Sequence, residues 1–149
     1  MNKNGFTLVE LLAVIALVAI LSGIAVVNVV SSINNSKKNA FLMDARRMIS
    51  KAEYLLSMDV ENRNKLKNGS TPQVTYDFTK LNEKGEFQKD ADDGEFVNAF
   101  VKVTNSNSTF IYCVCVEGSR RKVGNNCGTS SATCIVESEL KGIDKVVDK

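Results

Sequence analysis

The chain has 149 residues, of which 44% are hydrophobic and 24% are charged, and its formal net charge is +2. This length leaves room for one globular domain beyond a membrane segment. The small net charge gives no global sign of a nucleic-acid-binding protein. The sequence contains no His and no Trp, which excludes a Ser-His-Asp triad, a Cys-His dyad and every His-ligated metal site. We therefore expect a protein that is not an enzyme and that holds no metal or other cofactor.

The N-terminus carries the strongest signal in the chain. A short polar leader, Met1 to Gly5, runs directly into an apolar stretch from Phe6 to Val30 in which Glu10 is the only charge. About 20 apolar residues cross the roughly 30 Å hydrocarbon core of a bilayer, so this stretch predicts a transmembrane helix. A carboxylate inside such a helix costs about 2.5–3.5 kcal/mol on insertion scales, so Glu10 needs a partner or a place near the helix end.

Three ordinary explanations of this segment leave Glu10 unexplained. A cleaved secretory signal has a short apolar region and small residues before its cleavage site. Gly23-Ile24-Ala25 fits such a site, but Glu10 interrupts the apolar region near its start. A plain signal anchor explains the length and not the carboxylate. A buried helix of a soluble core is disfavoured because the rest of the chain is too polar to surround a helix that is apolar on all sides.

The pattern at the start of the apolar stretch also occurs in a known family. The chain reads Gly5-Phe6-Thr7-Leu8-Val9-Glu10-Leu11-Leu12, which resembles the class III leader and N-terminus of type IV pilins and the related pseudopilins. The resemblance implies that a prepilin peptidase cuts after Gly5 and methylates the new amine of Phe6. It also implies a partner for Glu10, namely the Phe6 amine of a neighbouring subunit, because each charge offsets the desolvation of the other.

Charges and cysteines predict where the remainder of the chain lies. Lys3 favours a cytoplasmic N-terminus by the positive-inside rule, whereas Lys37, Lys38, Arg46 and Arg47 favour the opposite orientation. We give the second set less weight because long domains translocate largely regardless of charge. Four cysteines in the distal half also suit an oxidising compartment, so we expect the remainder outside the cytoplasmic membrane.

Apolar residues recur with helical spacing beyond the apolar stretch. They are Phe41, Ala45, Met48, Ala52 and Leu55. We predict one helix from about Phe6 to about Met58, whose second half packs with this stripe against a sheet of the same chain. Many members of the resembled family have a proline within the apolar run, where this chain has Val26 and Val27. Gly23 is then the weakest point, because glycine costs about 1 kcal/mol in a helix interior.

The remainder of the chain has strand patterns. Residues 59–72 are predicted as a helix end and loop, with the turn signal Asn68-Gly69. Strand patterns follow at residues 73–80, 96–104, 109–116 and 133–137, and the polar run 105–108 predicts a hairpin. Residues 138–149 fit a short amphipathic helix or an edge strand. The predicted fold is α+β and pilin-like: one long N-terminal helix packed on an antiparallel sheet of about four strands, with a disulfide-pinned C-terminal region.

The four cysteines predict two disulfides, with zinc ligation by thiolates as the alternative. They are Cys113, Cys115, Cys127 and Cys134. No C-x-x-C spacing occurs, which disfavours zinc. The first two lie on one strand face about 7 Å apart, too far for a bond to each other. Cys115–Cys127 nested inside Cys113–Cys134 and the crossed pairing both remain, and we prefer nesting because an antiparallel return of the chain brings the pairs together in that order.

Two charged runs have both plain and functional interpretations. They are Arg120-Arg121-Lys122 and the acidic residues Asp90, Asp92, Asp93 and Glu95. Solvated loops are the plain interpretation. The functional one is that basic and acidic patches of neighbouring subunits meet in a filament. The basic run lacks the aromatic interleaving of many DNA-binding surfaces, and residues 90–95 lack the full calcium-loop pattern.

The resemblance implies a structural subunit of a type IV pilus. The subunit is expected in the cytoplasmic membrane before assembly, with its N-terminus in the cytoplasm, and in an extracellular filament for adhesion or motility afterwards. Expected partners are identical or related pilin subunits, the prepilin peptidase, the pilus assembly machinery, membrane lipid and, for adhesion, a host or surface ligand; nucleic acid is not expected. The alternatives are a pseudopilin of a type II secretion or competence system and a membrane-anchored binding module.

These expectations divide the chain into four segments. They are a leader at residues 1–5, a membrane and filament-core helix half at 6–30, an amphipathic helix half at 31–58 and a globular β-rich head at 59–149.

Overall fold

The computed structural model describes residues 7–70, 72–81 and 85–149, with the side chains of all of them except residues 24–28. This part of the chain contains a long helix, a short helix and a six-stranded antiparallel sheet. The predicted α+β fold is therefore confirmed. The chain divides into two compact units, Met1–Ser36 and Lys37–Lys149. The long helix α1 (Leu8–Met58) contributes residues to both.

Within the second unit, α1 buries one face in the core that it shares with the sheet. The buried residues are Phe41, Leu42, Ala45, Met48, Ile49, Ala52 and Leu56. Their spacing of three and four residues follows the helical period, which brings them onto one side of the helix. The predicted stripe is thus confirmed, although Leu55 is only partly buried at the edge of this core.

A second helix, α2 (Val60–Lys67), forms where the sequence predicts only a helix end and a loop. Asp59 caps it, since its carboxylate accepts a hydrogen bond from the Asn62 backbone N–H at 3.0 Å. Glu61 and Lys65 add an ion pair one turn apart. Only Leu66 of this helix is buried. The loop prediction was wrong because a helix held by its cap and by a surface ion pair has no apolar periodicity.

Six strands form the sheet, in the order β1-β2-β3-β4-β6, with β5 also paired to β3. Their bounds are β1 (Val74–Asp77), β2 (Asn98–Ser106), β3 (Thr109–Glu117), β4 (Arg121–Val123), β5 (Ile135–Val136) and β6 (Val147–Asp148). β2 and β3 form the predicted hairpin, in register from Asn98 opposite Glu117 to Ser106 opposite Thr109. Asn107 turns the chain with a φ of 49° and Ser108 with a φ of 66°. Two-residue hairpin loops of this kind require such left-handed residues.

The sheet is larger than the four strands predicted. Residues of the basic run, expected in a loop, form β4 and pair with β3 and β6. For residues 138–149, the structure shows the edge-strand alternative: β6 lies at one end of the strand order, after short 3₁₀ turns at Glu137–Glu139 and Ile143–Lys145. Strands of two or three residues are too short for an alternating pattern to be recognised in a sequence.

Both faces of β3 are covered. Val114 and Val116 are fully buried in the core that contains α1. Cys113 and Cys115 alternate with them and therefore point to the opposite face of the sheet. That face is covered by the cysteine-bounded segment that follows β4.

Candidate assembly site

α1 begins with a capping box formed by Thr7 and Glu10. The backbone N–H and the Oγ1 hydroxyl of Thr7 each donate to Glu10 Oε2 at 2.9 Å. In return, the backbone N–H of Glu10 donates to Thr7 Oγ1 at 3.3 Å. This reciprocal pattern satisfies N–H groups that have no acceptor inside the helix. Glu10 therefore helps to fix the start of the helix within a single chain.

One oxygen of the Glu10 carboxylate carries this cap. Among the residues that the structure describes, Oε2 has two donors, both from Thr7, and Oε1 has none. The carboxylate also lies in the first turn of α1, where the positive end of the helix dipole favours an anion. The start of the helix thus presents one carboxylate oxygen that can accept from a further cationic donor.

The rest of α1 in the first unit is an uncovered apolar surface. Every described side chain from residue 7 to residue 36 is exposed. The large hydrophobic ones are Leu8, Val9, Leu11, Leu12, Val14, Ile15, Leu17, Val18, Ile20, Leu21, Val29, Val30 and Ile33. Because consecutive residues are included, these side chains surround the helix instead of forming one stripe. A contiguous apolar surface of this kind marks an interaction surface.

In the described part of the apolar segment, Ser22 bonds to the helix backbone and Gly23 leaves open space beside the helix. Ser22 donates its hydroxyl to the Val18 carbonyl at 2.7 Å, inside the helix. Apart from its chain neighbours and the nearby helix backbone, no described atom lies within 4 Å of the point where a Cβ on Gly23 would stand. Within the described part of the chain, no helix contains an apolar run long enough to cross a membrane.

Two of the residues predicted for processing and assembly, Gly5 and Phe6, lie outside the described residues, as does Lys3. The structure therefore places Glu10 and the apolar surface that follows it, while the cleavage position and the amine rest on the sequence.

The acidic and basic runs meet inside the second unit. Asp92 and Arg121 form an ion pair, and their side chains are only 4% and 6% exposed. Lys37 Nζ lies 3.2 Å from the same Asp92 carboxylate, and Arg121 Nε lies 3.5 Å from Asp148. Burial within one chain leaves Asp92 and Arg121 inaccessible to a neighbouring subunit. The interpretation of these runs as patches that meet between subunits is therefore wrong for both residues.

Asp90 joins the same cluster through hydrogen bonds. Oδ1 accepts from the backbone N–H groups of Asp92 and Gly94 at 2.8 and 2.9 Å. Oδ2 accepts from the backbone N–H and the hydroxyl of Ser119 at 2.5 and 2.7 Å. Burial alone raises the pKa of the Asp90 carboxyl, but these hydrogen bonds outweigh it and hold the pKa below its usual value. We call Lys37, Asp90, Asp92, Ser119 and Arg121 the polar clasp.

The polar clasp gives the acidic run a structural role. The Asp90 and Asp92 carboxylates are occupied by donors and cations of the protein, so they cross-link the 90–94 turn to the β3–β4 turn. In the described residues, no group of three or more acidic or cysteine side chains is arranged to hold a metal ion.

Two disulfides fasten the segment after β4 to the outer face of β3. Cys113 is bonded to Cys134 and Cys115 to Cys127, with Cα separations of 5.4 and 5.5 Å. This is the nested pairing, and the predicted pinning of the C-terminal region is confirmed. The structure leaves none of these thiols free to ligate zinc.

The fold and the N-terminal site together define an α+β protein whose long helix carries an uncovered apolar surface with a capped acidic start. Residues 1–26 match the family model of the prokaryotic N-terminal methylation motif. This motif is the class III leader signal of type IV pilins, and it supports a type IV pilin-like or pseudopilin protein, a structural rather than an enzymatic class. No curated protein and no solved structure matches the chain.

Two features of the site were not recognised in the sequence. Thr7 was not identified as a helix cap, although Thr-x-x-Glu before an apolar run is the sequence pattern of a capping box. The polar clasp left no comparable signal, because Asp90 and Ser119 are distant in the sequence and only the fold brings them together.

Proposed function

We propose that the chain is a structural subunit of a type IV pilus. It is stored in the cytoplasmic membrane, cut after Gly5, methylated on Phe6 and polymerised into an extracellular filament. The observation that carries the proposal is an exposed apolar helix, capped by its own glutamate, whose first turns lie within the methylation motif. The four segments proposed from the sequence, residues 1–5, 6–30, 31–58 and 59–149, correspond to leader, membrane and filament-core helix, amphipathic helix and head.

The apolar surface needs a different cover before and after assembly. Burial of a Val, Leu or Ile side chain is worth about 1.5–3 kcal/mol relative to exposure, so an uncovered helix of this kind does not persist in water. In the proposal, lipid covers it first, with Lys3 and the N-terminus in the cytoplasm, and helices of neighbouring subunits cover it afterwards. Identical or related subunits, the prepilin peptidase and the assembly machinery are therefore the proposed partners.

Glu10 supplies the specific contact in this scheme. Oε2 keeps the cap with Thr7, while Oε1 accepts from the positive amine of Phe6 on the next subunit. The two charges leave water together, which removes most of the cost that either would carry alone. Register along the helix is then set by one charge pair, whereas the apolar side chains supply most of the stabilisation.

The two disulfides support a location of the head outside the cytoplasm, because such bonds persist in oxidising compartments. Adhesion or motility is the proposed use of the filament, with a host or surface ligand as partner for adhesion.

Mass spectrometry of the mature N-terminus tests the proposal. The expected chain begins with N-methylated Phe6, and Gly5→Val is expected to leave the leader in place and to abolish filaments. Gly23→Ala, in the middle of the apolar helix, is the matched control and is expected to be processed normally. A mature chain that begins after Ala25 would instead identify a cleaved secretory signal and overturn the proposal. An uncleaved, monomeric chain in cross-linking experiments would favour a membrane-anchored binding module.

The same motif serves pseudopilins of secretion or competence systems, so the length of the filament decides between the two. Electron microscopy of cells with and without this chain is expected to show surface filaments that depend on it. Filaments that do not extend beyond the cell envelope would identify a pseudopilin.

A further inference from the structure

We propose that the two nested disulfides are an ordered pair. Cys113–Cys134 is the bond that low-molecular-weight thiols attack, and Cys115–Cys127 is protected until the first bond has opened. The proposal concerns the second unit alone and does not depend on the assembly of a filament.

The two bonds differ in their exposure. Cys115 is fully buried and Cys127 is 5% exposed, whereas Cys113 and Cys134 are half-buried. A thiolate must reach a disulfide sulfur along a nearly straight line of attack, so access is part of the rate. The outer bond, Cys113–Cys134, is therefore the one that a small thiol reaches in the folded protein.

A short piece of backbone covers the inner bond. Asn125 and Thr133 form an isolated antiparallel bridge with two backbone hydrogen bonds of 2.8 Å. Their carbonyl oxygens lie 3.7 and 3.6 Å from the Cys115 sulfur. The backbone at Gly124 also lies close to the inner bond, since a Cβ there would stand 2.6 Å from the Thr133 oxygen and 2.8 Å from the Cys115 sulfur. We call the Asn125–Thr133 bridge the lid.

The outer disulfide fixes the position of the lid. Thr133 directly precedes Cys134 in the chain, so the bond to Cys113 holds one side of the lid against β3. Beyond it, β5 pairs with β3 over only two residues. Two distant contacts keep the C-terminal region in place without that bond: Leu140 accepts from Arg46 at 2.7 Å, and Lys38 lies 2.8 Å from Asp148. Opening the outer bond thus loosens the lid and leaves the C-terminal end attached.

The chemistry is ordinary thiol–disulfide exchange. A thiolate such as glutathione attacks one sulfur of Cys113–Cys134, forms a mixed disulfide and releases the other cysteine as a thiolate. A second glutathione attacks the mixed disulfide, so two glutathiones are oxidised to their disulfide and two protein thiols are produced. We expect the reverse order on oxidation. Cys115–Cys127 forms first because it closes the shorter loop, with a sequence separation of 12 against 21. Cys113–Cys134 then forms and fixes the lid.

Reduction of the full chain in detergent micelles by graded glutathione tests this order. Samples are quenched by alkylation, and the bonds are mapped by mass spectrometry. We expect an intermediate that has lost Cys113–Cys134 and kept Cys115–Cys127. The inner bond is expected to be reduced at least about tenfold more slowly than the outer bond, as for a group that reacts only after local opening. Loss of the inner bond first, or of both bonds at one rate, would overturn the proposal.

Two variant pairs separate protection by the lid from intrinsic reactivity. Cys113→Ser with Cys134→Ser is expected to accelerate reduction of the inner bond, while Cys115→Ser with Cys127→Ser leaves the outer rate unchanged. Thr133→Pro removes one lid hydrogen bond with both disulfides present and is expected to accelerate reduction of the inner bond, whereas Ser130→Ala in the same segment is not. An inner bond that stays equally slow in Thr133→Pro would show that the lid is not the cause.

Discussion

Glu10 has two roles in the proposed function, capping the helix and pairing with the Phe6 amine of a neighbouring subunit. Substitutions at Glu10 and at Thr7 can remove each role separately. The capping box needs a hydrogen-bond acceptor at this position, and glutamine satisfies that need as well as glutamate. The contact with a neighbouring Phe6 amine needs a negative charge, which glutamine lacks. Thr7 contributes to the cap and carries no charge. Variants of Glu10 and Thr7 therefore distinguish the capping of α1 from the pairing of subunits.

Glu10→Gln is expected to keep the start of α1 and to abolish or strongly reduce filament assembly. Thr7→Ala is the matched variant: it removes the cap, which typically costs about 0.5–2 kcal/mol, but it keeps the charge and is expected to assemble. Filament counts by electron microscopy report assembly, and hydrogen exchange of the first turn in detergent micelles reports the cap. Normal filaments from Glu10→Gln would refute the charge pair and leave capping as the role of Glu10.

Asp90→Asn is expected to destabilise the second unit by about 1.5–3 kcal/mol, the usual worth of hydrogen bonds to a charged group. The amide keeps one acceptor oxygen and places an NH2 group against donors that the carboxylate now satisfies. Urea unfolding of the full chain in micelles, followed by near-ultraviolet circular dichroism, measures the change. Asp93→Asn is the control, because Asp93 is exposed and its ion pair with Lys89, at 3.7 Å on the surface, contributes little. Equal stability of the two variants would mean that the polar clasp contributes little.

At the scale of secondary-structure elements, α2 depends on its cap more than on its packing. Asp59→Ala is expected to lower the stability of this helix by about 0.5–2 kcal/mol, and Asp59→Ser, which can still cap, by much less. Amide hydrogen exchange of residues 60–67 is the measurement, with β2 and β3 as internal references. Unchanged exchange in Asp59→Ala would show that Leu66, the buried residue of α2, holds the helix alone.

The elements that the sequence predicts well are those that bury a long periodic face. α1 in the second unit and the β2–β3 hairpin are of this kind, since their apolar residues repeat with periods of 3.6 and 2. The helix α2 and the strand β4 were missed, and β6 was only one of two alternatives for its segment, because their residues are held by a cap, by ion pairs and by neighbouring strands. Local periodicity does not record such contacts. Of the candidate site, Glu10 was recognisable, whereas the burial of Asp92 with Arg121 required the fold.

At the scale of the whole molecule, several carboxylates link the second unit to pH in the same direction. A hydrogen bond from Lys149, helped by one from Asn98, lowers the pKa of Glu117. A hydrogen bond from Lys38 lowers the pKa of Asp148. With Asp90, these groups bind protons less readily in the folded chain than in the unfolded chain. Their contribution is fully present above the unfolded pKa, about 4, and is lost as the pH falls through the folded values.

Two carboxyls act in the opposite direction. Burial raises the pKa of Asp44, against the attraction of Arg47. Burial, with repulsion from Glu137, raises the pKa of Glu53. Protonation of these groups becomes easier on folding, so they stabilise the folded chain slightly as the pH falls. Both residues lie on α1, outside the polar clasp. We expect the effect of Asp90 on stability to be larger than theirs, because the buried Asp90 carboxylate has more hydrogen bonds to lose on protonation.

We therefore expect the second unit to be most stable near neutral pH and to lose stability as the pH falls below about 4, where carboxyls take up protons. The midpoint of urea unfolding, measured from pH 7 to pH 2.5 on the full chain in micelles, is the observable. Asp90→Asn lacks the Asp90 carboxyl, so its midpoint of unfolding is expected to vary less with pH and to approach that of the unaltered chain in acid. Asp93→Asn is expected to follow the unaltered chain throughout. Parallel pH profiles for the unaltered chain and Asp90→Asn would assign the acid sensitivity to carboxyls other than Asp90, such as Glu117 and Asp148.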